Sequence, residues 1–220
     1  MKKPSKRWIG LLAVVGFAGA ANAQMGMHMG PPNFHGVWNP VIGKGAVYEM
    51  RTQDHGKTSM EISVVGKESV EGKDGYWVQT TIDNAEMGGQ MVMKNLAVMT
   101  QDEVVFSKLI MQMPGRPPME MSQMMQRGRA NSHADIRGDA EDVGSETITV
   151  PAGTFVCEHY KTKDGGDVWV AKDVPPWGMV KYQGKDTTMV LTKVVTDAKD
   201  KIVGTPQPFN PMNMMQQPPQ

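Results

Sequence analysis

Cys157 and His159 stand two residues apart in TFVCEHYKT, a run that alternates as a strand does, so both side chains leave one face. A thiol beside an imidazole can hold a metal or act as a nucleophile. Phe155 shares that face, and a cysteine among apolar neighbours packs as a small hydrophobe. The local sequence shows no third group to orient the histidine. The expectation is a structural thiol, and Cys157→Ser is expected to cost stability and no specific activity.

The remaining sulfur is thioether. The chain has 21 methionines, and six of them fall between Met111 and Met125 in MQMPGRPPMEMSQMM. Methionine fills irregular gaps in cores, and it also makes apolar surfaces that adapt to greasy partners. Thioethers are soft ligands that suit Cu(I). Met25, Met27, His28 and Met29, with Met212, Met214 and Met215 at the far end, form loose clusters for which copper is the metal to consider. Their irregular spacing implies no ordered ligand set, and no other cofactor is expected. The candidate apolar-ligand residues are Met111, Met113, Met121, Met124 and Met125. Trp169 and Trp177 join them as aromatics at the rim of DVWVAKDVPPWGMVKY, where Pro175 and Pro176 exclude a central strand.

His133, Asp135, Asp139, Glu141 and Asp142 cluster without EF-hand spacing and read as a solvated loop. The chain carries no G-x-S-x-G, no phosphate-binding glycine loop, no H-E-x-x-H and no C-x-x-C. Nothing in the pattern points to an enzyme.

The elements that must carry these residues alternate with period two and are rich in Val, Ile, Thr, Tyr and Trp. Candidate strands are 46–52, 59–68, 76–83, 91–99, 103–113, 145–150, 154–162, 167–173, 178–183 and 187–195. Most breaks between them are short, as in Pro151-Ala152-Gly153, and short loops join antiparallel neighbours. About ten strands in a meander must curl. The expected fold is therefore mainly β, a curved antiparallel sheet or half-barrel, with one short Met-rich helix from Met119 to Arg127 between Pro117-Pro118 and Gly128.

The ends read differently. A basic MKKPSKR, an apolar WIGLLAVVGFAGA and the small-x-small Ala21-Asn22-Ala23 form a cleavable signal peptide over 1–23, with a mature start at Gln24 and a periplasmic or secreted destination. The formal charge is zero, but losing Lys2, Lys3, Lys6 and Arg7 leaves 19 basic against 23 acidic residues, a net of about −4. That balance gives no footprint for nucleic acid. No later run is long and apolar enough to be a membrane helix. Residues 24–45 read as a flexible Met/Gly/Pro leader, 46–203 as a single β domain, and 204–220 as a disordered Pro/Met/Gln tail. Envelope docking through these ends is an alternative use of the chain. One cysteine makes no internal disulfide, so stability comes from burial.

GSETITVPAGTFVCEHYKTKDGGDVWVAKDVPPWGMVKY (144–182) carries a V-P-A-G-T-F-x-C-x-x-Y hairpin from Val150 to Tyr160. A V-W-x-x-x-x-V-P-x-x-G-x-V-K-Y segment follows from Val168 to Tyr182. It resembles an exported bacterial domain family of unknown function that is similar to the LolA/LolB-like fold of periplasmic lipoprotein carriers. The resemblance implies a concave apolar face able to hold acyl chains or a lipoprotein, and no catalytic residue. It would make Met111 to Met125 a lid over that face.

Overall fold

All ten runs expected to be strands are strands. The computed structural model describes residues 37–53, 56–84, 88–100, 103–122, 132–133, 140–163 and 165–209. In chain order the strands are β1 (Gly45–Thr52), β2 (Gly56–Val70), β3 (Lys73–Asn84), β4 (Gly89–Thr100) and β5 (Glu103–Gln112), then three two- to ten-residue strands, β6 (Met119–Glu120), β7 (Ser132–His133) and β8 (Glu141–Val150). The chain continues through β9 (Gly153–Lys161), β10 (Asp167–Val170), β11 (Met179–Gln183), β12 (Thr187–Val195) and β13 (Gln207–Pro208). They form one sheet in the order β13-β6-β5-β4-β3-β2-β1-β12-β11-β10-β9-β8, with β7 also on β5. All neighbours are antiparallel except β13, which runs parallel to β6.

The sheet is open and curled. β8 lies four places from β12, about 19 Å away in a flat sheet. Yet Ala152, in the β8–β9 turn, donates its N–H to the carbonyl of Leu191 in β12 at 3.4 Å. The curl encloses the main core on what we term the inner face: Ala46, Tyr48, Ile62, Val78, Val168 and Leu191 are among its buried side chains. Tyr48 Oη donates across this interior to the carbonyl of Met179 at 3.0 Å, and burial holds its phenol well above the usual tyrosine range.

Two expectations need correction. Met119 and Glu120 do not start a helix; they pair with Met111 and Ile110 as β6. Pro117-Pro118 favours extended chain, and a free sheet edge satisfies backbone groups that a short isolated helix satisfies poorly. Met121 and Ser122 follow β6, and the remainder of that segment, from residue 123 on and including Met124 and Met125, lies outside the described residues. The acidic loop is also shorter than expected, because Glu141 and Asp142 already belong to β8 and His133 to β7.

The ends dock further than their composition implies. Val37 and Asn39 donate their backbone N–H groups to the carbonyls of Trp177 and Pro176, both at 2.7 Å. At the other end the chain is held to Phe209, whose N–H meets the carbonyl of Glu120 at 3.0 Å. The signal segment and the candidate copper residues Met25, Met27, His28 and Met29 fall outside the described residues, as do Met212, Met214 and Met215.

Candidate functional site

Cys157 is fully buried, and its Sγ faces the carbonyl of its own strand neighbour Phe155 at 3.8 Å. Burial, aided by the negative charges of Asp173 and Glu146, pushes its thiol up to about 11, far from the thiolate a nucleophile needs. His159 does have orienting partners, contrary to the local sequence reading. Its Nε2 lies 2.9 Å from Asp167 Oδ1 and its Nδ1 3.3 Å from Glu146 Oε1. The ring stacks on Trp169 with centroids 4.5 Å apart, Trp169 Nε1 donates to Glu146, and Lys181 Nζ sits 4.4 Å over the indole. The ladder explains the grouping: Trp169 is opposite His159 on β9 and Lys181 on β11. Both ring nitrogens of His159 and the indole N–H of Trp169 are engaged with carboxylates, which suits a structural clasp between strands. No cluster of three or more His, Cys, Asp or Glu able to hold a metal occurs among the described residues.

The methionine stretch forms a different site. Met93, Leu109, Met111 and Met121 make a second buried cluster apart from the main core, with half-buried Met113 and Phe209 packed on it. Register builds it. Met93 faces Met111 across β4–β5, Met111 faces Met119 across β5–β6, and Met121 donates its N–H to the carbonyl of Leu109 at 2.8 Å. The structure thus brings together three of the candidate residues, Met111, Met113 and Met121, and adds Met93, Leu109 and Phe209. Met93 was legible only as a strand residue. Phe209 was hidden in what composition marks as a tail.

Asn95 stands at the seam of the two clusters. In its cross-strand row it lies between Val78 of the main core and Leu109 of the methionine cluster, and residue 93 is two along the same face. Its side chain is 3 % exposed, and its Oδ1 has no hydrogen-bond partner among the described residues.

The opposite, outer face is strapped by residues 196–209. Gln79, fully buried, donates Nε2 to the carbonyl of Lys199 at 3.1 Å and accepts the N–H of Lys201 on Oε1 at 2.8 Å. Asp200 pairs with Lys94, Lys201 with Glu61 at 2.9 Å, and Gln112 makes a reciprocal pair with the backbone of Val203. Lys94 Nζ also lies 4.8 Å over the ring of Trp77. The strap then turns the sheet edge as β13 and delivers Phe209 to the methionine cluster.

Trp169 and Trp177 are 9 % and 3 % exposed and line no open rim. Trp177 is covered by Trp38, with ring centroids 4.5 Å apart. Gly178 follows it with φ of +72°, and a Cβ there would press on Val170 and the carbonyl of Ala171, so only glycine makes this turn into β11. A surface groove of about 510 Å³ runs beside β8, β9 and β10, bounded by Ser145, Phe155, Glu158, Val170, Lys172 and Asp173. Its walls mix apolar Phe155, Val156, Val170 and Ala171 with charged Glu158, Lys172 and Asp173.

The chain matches no protein-family model, and no curated protein matches it. Two solved structures are similar in outline. One, from Bacteroides fragilis, is described as an exported protein with a YmcC-like fold. It is 15 % identical, with 73 % of this chain and 99 % of that chain covered and a TM-score of 0.37. The other, described as a lipoprotein from Parabacteroides distasonis, is 12 % identical over the same shares with a TM-score of 0.36. Neither is named as a lipoprotein carrier, so that resemblance rests on residues 144–182 alone, and at these scores the likeness carries no argument about ligand or partner. No helix among the described residues is long and apolar enough to cross a membrane.

Proposed function

We propose that this is an exported, non-enzymatic protein of the bacterial envelope that binds an apolar ligand of the acyl-chain class on the inner face of its curled sheet. The observation that carries the reading is the methionine cluster. The interior near β1, β12 and the β10–β11 loop is filled by Trp38, Tyr48 and Trp177. Beyond β4 the lining changes to Met93, Leu109, Met111 and Met121, closed by half-buried Met113 and Phe209 and a two-residue strand. Thioether side chains have many rotamers and reshape at low cost, so such a lining admits a chain where a rigid core would not. Export is supported by the signal pattern over 1–23. A non-catalytic role is supported by the raised thiol of Cys157 and the fully engaged His159.

The test is native mass spectrometry of protein exported with its own signal and purified without harsh detergent. The expected result is a co-purifying apolar species released by organic solvent and lost in Met111→Lys. A bare chain, or an adduct indifferent to Met111→Lys, would overturn the reading.

A further inference from the structure

Resting on that reading, we infer that the ligand is an amphiphile whose polar end donates a hydrogen bond, and that Asn95 Oδ1 accepts it. A hydroxyl, a protonated carboxyl or an amide N–H would serve. A bare hydrocarbon or a head that only accepts would not.

Three observations converge. Asn95 is buried to 97 % on the inner face and its Oδ1 lacks a partner among the described residues. Leaving a buried acceptor unpaired is costly, and most buried polar groups are paired. The residue also sits where a head group would have to lie. Val78 flanks it on the filled side, and Leu109, with Met93 and Met111 in the next row, flanks it on the adaptable side. An alkyl chain laid along the methionine cluster toward the main core ends against Asn95. Finally, of the other buried polar side chains of β2–β4, Ser63, Gln79, Thr81 and Lys94 belong to the outer face, and Thr80 shares the inner one, opposite Ile62 and Met93. On the outer face Gln79 and Lys94 are spent on holding the strap, so the sheet needs no polar group at position 95 for that purpose.

The experiment compares 1-dodecanol with its methyl ether as competitors for a fluorescent fatty-acid probe on the full mature chain. The two share length and apolar surface, and only the alcohol donates. Wild type is expected to prefer the alcohol by about tenfold. Asn95→Leu is expected to lose the preference and bind alcohol and ether about equally. Asn95→Asp, which keeps an acceptor in place, is expected to retain it, and Asn95→Ala repeats the loss should the leucine not fit. Equal binding of alcohol and ether by wild type, or a preference that survives Asn95→Leu and Asn95→Ala, overturns the head-group inference while apolar binding stands. Failure of either competitor to displace the probe overturns the apolar-ligand reading and this inference together.

Discussion

At the scale of single residues, Cys157 shows how a chemically suggestive pair resolves into packing. Its thiol is excluded from water and beside two acidic side chains, so it stays protonated through neutral pH. Cys157→Ser replaces sulfur with a hydroxyl in an apolar site and is expected to cost about 1–2 kcal/mol in urea unfolding. A loss of ligand capture at unchanged stability would refute this assignment. Because the folded thiol titrates above its ordinary value of 9.0, the folded state holds its proton more tightly. That contribution is complete below about pH 9 and disappears as pH rises through about 11, so wild type is expected to lose more stability over this window than Cys157→Ala. Parallel alkaline unfolding curves for the two would contradict the burial argument. The burial of Cys157 was legible, because Phe155 and the strand alternation place it inward. The clasp around His159 was not. Glu146 and Asp167 reach it from neighbouring strands, and only the ladder register, which no local pattern encodes, makes them neighbours.

Among elements, the longer strands were readable because alternation persists for four residues or more and most turns between them are marked by glycine. The short ones were not. β6, β7 and β13 have two residues each, too few for a period, and they form because β5 and then β6 offer an open edge. The strap was hidden for a related reason. Residues 196–209 carry no periodicity, and they are held by side chains of the sheet and not by their own pattern. Gln79 is the clearest of these, since its one amide satisfies a strap carbonyl and a strap N–H at once. Gln79→Leu leaves both backbone groups unpaired and is expected to cost about 2 kcal/mol or more. Trypsin should then cut sooner after Lys199 and Lys201. A cleavage rate equal to that of wild type would mean that the strap is held elsewhere. Met93→Leu and Met111→Leu, which keep volume and apolarity, are expected to change stability by less than about 1.5 kcal/mol. A larger loss in denaturant titration would show that the methionine cluster is a fixed core and not an adaptable lining.

For the whole molecule, the question is what keeps an open sheet curled. An open sheet has no closing ladder, so its two wings must be joined by side chains across the interior. Trp38 does this from a segment whose Gly, Pro and Met content conceals it. Its ring lies 6.2 Å from Tyr76 on β3 and 4.5 Å from Trp177 in the β10–β11 loop, centroid to centroid. The backbone on both sides of it is fixed to that loop, and Asn39 Nδ2 adds a hydrogen bond to the carbonyl of Lys172 at 2.8 Å. β3 and the loop approach each other only if the strands between them, β2, β1, β12 and β11, are curled. Trp38→Ala therefore removes apolar burial and the wing-to-wing contact together. The expected cost is about 3 kcal/mol, with Trp38→Phe restoring part of it. The decisive readout is amide hydrogen exchange. If Trp38 bolts the wings, Trp38→Ala speeds exchange in both β3 and β10–β11, far apart in the ladder, while the β4–β5 pair keeps its protection. Faster exchange confined to residues 37–39 would reduce Trp38 to a local contact, and the curl would then have to be credited to the β8–β9 turn closing on Leu191.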